Sequence, residues 1–221
     1  MEKPIFPCEY MRITQGYNEG THKDSFAIDN AGKDTNISDI YAPFTGIIKK
    51  IYTNDANEVW LESVDKVEFP DGTIDYLTVL FAHDNNIDNL FVGKRINQGE
   101  VFYQEGTKGN ATGNHCHIEC GRGKYSGTGW YKNKSGYWSI NNGKKPEDCL
   151  WINNNIKIIY NHNYEFREIP TEVVEKNNKQ DIDVDNSANN ELIKLEFIAP
   201  KKDLYGIYLN ENEKIKIYSS K

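Results

Sequence analysis

Apolar residues in this chain come in short runs that end at Gly, Pro, Asn or Asp, and no long segment carries helical periodicity. The segments YAPFTGIIKKIY, EVWLESVD, DYLTVLFAHD and GEVFYQEG are rich in Val, Ile, Tyr and Phe, which suit a pleated, half-buried surface. NNIDNLFV has room for one helical turn at most. A chain patterned this way must build its core from strands. Asp71-Gly72 in FPDGT, between two apolar runs, predicts a hairpin. The expected fold is mainly β, an antiparallel β-sheet domain with a barrel-sandwich-like core over residues 1–155.

After KKPEDCLWI the composition changes. Residues 171–191, TEVVEKNNKQDIDVDNSANNE, are polar, acidic and Asn-rich without an aromatic residue, so the stretch 156–190 is expected to connect rather than to pack. Strand-like alternation returns in residues 191–221, a small β-rich C-terminal appendage. Its 31 residues are fewer than the roughly 40 that usually fold alone. It is expected to dock on the main domain or to pair with another copy in a homo-oligomer.

With 221 residues, 38% of them hydrophobic, the chain can bury a real core. Its net charge of -7 argues against a nucleic-acid partner, because no basic surplus exists to replace phosphate counterions. No run of about 18 apolar residues is present, so no membrane insertion is expected. The first residues lack the basic and apolar blocks of a signal peptide, which leads to the expectation of synthesis in the cytoplasm. Cys8, Cys116, Cys120 and Cys149 form no CxxC pair and are expected as buried thiols.

Two of only five histidines stand in ATGNHCHIECG, residues 111–121. On a strand, His115 and His117 project to one face and Cys116 points the other way, into the core. His22 and Asp29, joined by His117, supply three nitrogen and oxygen ligands. Three protein ligands and one open position is the composition of a catalytic zinc site, whereas structural sites are closed by four ligands. His83 and His115 are then free for acid-base work. Gly106, Gly109 and Gly113 precede the two histidines in a loop suited to a groove. Backbone groups there, at Thr112, Gly113 and Asn114, are candidates for holding an extended peptide. GRGKYSGTGWYKNKSGYW, residues 121–138, could wall the same groove.

His22 with Asp29, YAPFTGIIKKIY, LFAHD and VGKRINQGEVFYQEGTKGNATGNHCHIE follow one another as in the lysostaphin-type and LytM-like zinc metallopeptidases, which cut peptidoglycan peptides. The resemblance covers roughly residues 10–152. It implies an antiparallel β-sheet metallopeptidase domain, one Zn2+ per chain held by His22, Asp29 and His117, and His83 with His115 as the catalytic pair. It also implies bacterial peptidoglycan as the substrate, with His115 as general base and His83 hydrogen-bonded to the oxyanion. One departure stands out. Six residues separate His22 from Asp29, where many members have three, so Asp24 is an alternative third ligand. His162 matches nothing in the pattern and is read as structural or surface.

Without a signal peptide, such a hydrolase resembles a phage or prophage endolysin, with the C-terminal segment as a wall-binding or oligomerising piece. A catalytically inactive peptidoglycan-binding module of the same fold is the alternative. APFTGIIKKIY and VGKRINQGEVF also look like the halves of a biotinyl or lipoyl carrier, but a carrier has no use for four placed histidines.

Overall fold

The computed structural model describes residues 1–53, 55–127 and 129–151. The expected connecting segment 156–190, the appendage 191–221 and His162 lie outside the described residues. The chain runs through β1 (Arg12–Gln15), a 3-10 turn (Gly20–His22), β2 (Ile28–Ala31), β3 (Asp39–Tyr41), β4 (Gly46–Tyr52), β5 (Glu58–Ser63), β6 (Val67–Glu68) and β7 (Ile74–Asp75). It continues through β8 (Leu77–Ala82), β9 (Arg95–Ile96), β10 (Val101–Gln104), β11 (Cys116–Arg122), β12 (Trp130–Lys132), β13 (Trp138–Ile140), β14 (Gly143–Lys144) and α1 (Pro146–Cys149).

Eight of these strands form one antiparallel sheet in the order β1-β2-β11-β8-β5-β4-β9, with β14 beside the second half of β11. The expected mainly β fold is what the chain adopts. The central strand β8 is buried along its whole length, so both faces of the sheet are covered at its middle. Alternation divides its residues between two cores. Leu77, Val79 and Phe81 join Val59 and Leu61 of β5 and Ile118 of β11 in the main core, closed by Ile40, Phe102 and Tyr103 of the β3–β10 ribbon. On the other face Trp60 and Leu80 pack with Ile140, and Tyr52, Tyr125 and Trp130 lean against them.

The N-terminus is part of this body. Ile5 and Phe6 are fully buried, Ile5 bridges Trp151 in parallel, and the Trp151 amide donates to the Pro4 carbonyl at 2.7 Å. All four cysteines are buried free thiols. The expected hairpin at Asp71-Gly72 joins β6 to β7, with Gly72 at φ +82°. The possible turn in NNIDNLFV is a single one, the Leu90 amide donating to the Ile87 carbonyl at 2.9 Å. One short helix went unforeseen: Pro146 opens α1, where its missing N–H costs nothing. Four residues are too few to show a 3.6-residue period. Among the described residues no helix is long and apolar enough to cross a membrane.

Gly106 fixes where the loops meet the sheet. Its backbone pairs with His115 on one side, and a Cβ added to it would sit 2.2 Å from the His83 carbonyl oxygen and 2.8 Å from the Asn85 amide. Only a residue without a side chain lets the three segments approach so closely. Gly106→Ala is expected to lower folding stability by about 1–3 kcal/mol, the usual cost of overpacking against backbone, read as a shift in the urea midpoint at unchanged slope.

Candidate metal centre

Strand pairing assembles the site. His117 of β11 stands directly opposite Asp29 of β2 on one side and Ala82 of β8 on the other. Because Cys116, Ile118 and Cys120 face the main core, His117 and Glu119 must face the opposite side of the sheet. His22 arrives from outside the sheet on the 3-10 turn after β1. That turn is knitted by the His22 amide donating to the Glu19 carbonyl at 2.7 Å and the Ser25 amide donating to the His22 carbonyl at 2.9 Å.

Three atoms converge. His22 Nε2 lies 3.1 Å from His117 Nδ1 and 3.3 Å from Asp29 Oδ1, and His117 Nδ1 lies 3.0 Å from Asp29 Oδ1. The tautomers follow from the partners, since carbonyl and carboxylate oxygens only accept. His22 Nδ1 donates to the Gly16 carbonyl at 3.2 Å, and His117 Nε2 donates to Glu119 Oε1 at 3.2 Å. With those protons committed, His22 Nε2, His117 Nδ1 and Asp29 Oδ1 turn three lone pairs toward one point. Such a cluster can hold a metal ion, and two imidazoles with one carboxylate is a donor set suited to zinc. Glu119 is 2% exposed and also accepts from the Ile140 amide, so it holds the His117 ring as an outer carboxylate does in metal sites.

The electrostatics agree. Burial by itself would raise the Asp29 carboxyl, but the adjacent His117 and His22 rings hold it well below the usual range. Burial would lower His117, yet Asp29 and Glu119 push it up to about 10. Without a metal, the proton that His117 gains sits on Nδ1 against Asp29, and the lone pairs converge only when that ring is neutral.

Asp29, rather than Asp24, completes the group with His22 and His117. Asp24, at φ 60°, turns outward to Lys134, 3.0 Å away, and to the Ser135 hydroxyl. The residues that lengthen the spacing between His22 and Asp29 form this outward loop.

His83 and His115 stand beside the three. Their ring centroids are 4.5 Å apart, and His115 Nε2 is 3.8 Å from Asp29 Oδ1. His83 follows β8 directly, in left-handed backbone at φ 89°, a strained conformation for a residue with a side chain. Its Nδ1 donates to the Lys108 carbonyl at 2.7 Å, and His115 Nδ1 donates to the Gly113 carbonyl at 2.8 Å. Both rings therefore keep Nε2 unprotonated in the neutral form. Burial pulls His83 down to about 4, against the hydrogen bond to Lys108, which raises it.

A cleft of about 630 Å³ opens over the cluster, lined by His22, Asp29, His83 and His117 and walled by Tyr52, Trp130, Tyr137 and Trp138. Three of these four aromatics lie in the segment 121–138 expected to wall a groove. Thr112, Gly113 and Asn114 are elsewhere. They line a second depression with His115, Arg12 and Asp34, and Asn114 Nδ2 donates to the Thr35 carbonyl at 2.9 Å. Glu119 escaped the reading of the sequence, although the alternation through His115 and His117 lands on it.

No model of a known protein family matches the chain. By sequence the chain is similar to Morphogenesis protein 1 of Bacillus phage B103, with 36% identity over 131 residues, 58% of this chain and 34% of that protein. The chain thus spans about a third of that relative's length. Among solved structures it is similar to a zinc containing peptidase from Vibrio cholerae, at 19% identity and a TM-score of 0.42 over 55% of this chain and 37% of that one. The catalytic domain of the prophage-encoded protein EnpA from Enterococcus faecalis is matched at 19% identity and a TM-score of 0.41, over 55% of this chain and 88% of that one.

Two outcomes are expected from this geometry. Glu119→Gln should weaken zinc binding about 10- to 100-fold, as losses of outer carboxylates do, measured by competition with a chelating dye. In chelator-treated protein, a His117 raised from 6.5 to about 10 contributes stability that is complete below pH 6.5 and lost as pH rises through about 10. The melting temperature of that form should therefore fall over this window.

Proposed function

We propose that the chain is a zinc-dependent peptidase of the lysostaphin-type and LytM-like kind, acting on peptide bonds of bacterial peptidoglycan. The observation that carries the reading is the convergence of His22, Asp29 and His117 on one point, with His83 beside them in an open cleft and His115 packed against His83 at its edge. A zinc ion held there supplies Lewis acidity that polarises a scissile carbonyl and brings the ionisation of water toward neutral pH.

The chain's own residues do the rest. Glu119 and the Gly16 carbonyl orient the two ligand rings, and Asp29 keeps a full negative charge. His115, its Nδ1 proton fixed on Gly113, offers Nε2 to take a proton from water and return it to the leaving amine. His83 enters neutral with its Nδ1 proton fixed on Lys108, so its Nε2 is at first an acceptor. It donates to the tetrahedral oxygen only once it has taken up a proton from solvent in the open cleft, separate from the one that His115 carries to the leaving amine, and the growing negative charge favours that uptake.

The setting in which the activity is used is that of a phage or prophage endolysin, made in the host cytoplasm and acting on the wall. A second setting is favoured by the similarity to Morphogenesis protein 1 of Bacillus phage B103: the same chemistry used in phage morphogenesis.

Zinc content and turbidity loss of purified cell walls test the reading together. His117→Ala is expected to lose both. His115→Ala should keep about one zinc and lose turnover, and His83→Ala should keep zinc with kcat reduced about 100- to 1000-fold. Lysis that survives His117→Ala, or a wild type without zinc, would overturn it.

A further inference from the structure

Half of the cleft lies beyond the histidines. The row that crosses the sheet at the level of the metal ligands runs from Asp29 to His117 to Ala82. β5 meets β8 with Val59 opposite Phe81, so Glu58 falls one step further along, beside Ala82, and pairs in turn with Tyr52 of β4. Since strands are spaced about 4.8 Å apart, Glu58 lies two strands, or ~10 Å, from His117. Between them the floor is the Ala82 methyl, too short to block an extended chain.

Glu58 and Asp55 both line the cleft, together with Tyr52, the register partner of Glu58, and Trp130. Glu58 Oε2 is buried and has no hydrogen-bond partner among the described residues. Burial holds the Glu58 carboxyl above its ordinary value, and Asp55 adds to this. The loop that carries them is braced against the His83 turn. Tyr103 Oη donates to the Asn57 carbonyl at 2.7 Å and accepts from the Asp84 amide at 3.1 Å, and Asn57 Nδ2 donates to the Asp84 carbonyl at 2.8 Å. The backbone that carries Glu58 is therefore tied to the segment that carries His83. Among the described residues, the groups of three or more side chains able to hold a metal ion both include Asp29, and neither includes Glu58 or Asp55.

We propose that Glu58 and Asp55, in the same cleft lining as the Tyr52 and Trp130 rings, form a subsite for a free ammonium group on a residue of the peptide substrate near the bond that is cut. This rests on the peptidase reading. An ammonium presents three donors and a compact charge, which match an unpartnered carboxylate oxygen and the negative faces of aromatic rings. The distance of ~10 Å suits an amine at the end of a long side chain, with its backbone in the groove beside the histidines.

The test uses the full zinc-loaded chain carrying His115→Ala, so that binding is read without turnover. The probes are solubilised wall peptides before and after acetylation of their amines with acetic anhydride. Acetylation is expected to weaken binding tenfold or more in this protein, and to have little effect once Glu58→Gln is added. Asp55→Asn, on the loop, should reduce the discrimination in the same direction and serves if Glu58→Gln does not fold. Equal losses with and without Glu58, no sensitivity to acetylation, or no binding of the free-amine peptides would each overturn the subsite. Discrimination that persists in a wild type unable to lyse walls would instead overturn the peptidase reading and leave the ammonium site standing.

Discussion

The structure depends on one strand that serves two incompatible environments. β11 sits between β2 and β8, so every second side chain is pressed into the main core while the others meet a polar cleft. Cys116 and Ile118 are fully buried in apolar surroundings, and His117 between them faces a carboxylate on each side. A register slip of one residue would drive the imidazole into the core and the thiol into the cleft. The core therefore fixes the register, and the register places His117 opposite Asp29. The energy that positions the site is the burial of the opposite face.

The same logic explains why polar groups are tolerated so close to a packed sheet. Glu119 is almost fully buried, yet both its oxygens are used, one by His117 and one by the Ile140 amide. Asp29 is shielded from water but surrounded by imidazoles. These two buried carboxylates are matched, which the low dielectric around them demands. In the protein alone the three convergent atoms share the proton of His117, and once it leaves, their lone pairs form a donor set able to hold a metal ion. His83 adds a different kind of cost, a left-handed backbone held in place by Gly106 and by the Lys108 carbonyl. Strain of this kind persists only where the surroundings over-determine it.

Much of the site was legible in the sequence. HCH within a strand-like run meant two imidazoles on one face, and the order of the His22, Asp29, His83 and His115 motifs suggested a zinc peptidase. The same alternation, carried two residues further, would have found Glu119. Other features were not legible. Whether Asp24 or Asp29 joins His22 depended on how the longer loop folds, and Asp24 turns away to Lys134 and Ser135. Thr112, Gly113 and Asn114 precede the histidines in sequence but open onto a different depression, because the loop bends around Gly106 before β11 begins. The four residues of α1 were too few to show a period.

By itself, the sequence determined the strand-built core, the two faces of β11 and the chemical kinds of the groups gathered on one of them. These follow from periodicity and residue type, which are local properties of a chain. Only the tertiary structure decided which carboxylate meets the histidines, which imidazole nitrogens are left bare, and that Glu58 lies two strands away across a floor of alanine. Those outcomes depend on pairings between segments far apart in the chain, where the burial of one face selects the register and the register carries the polar groups of the other into place.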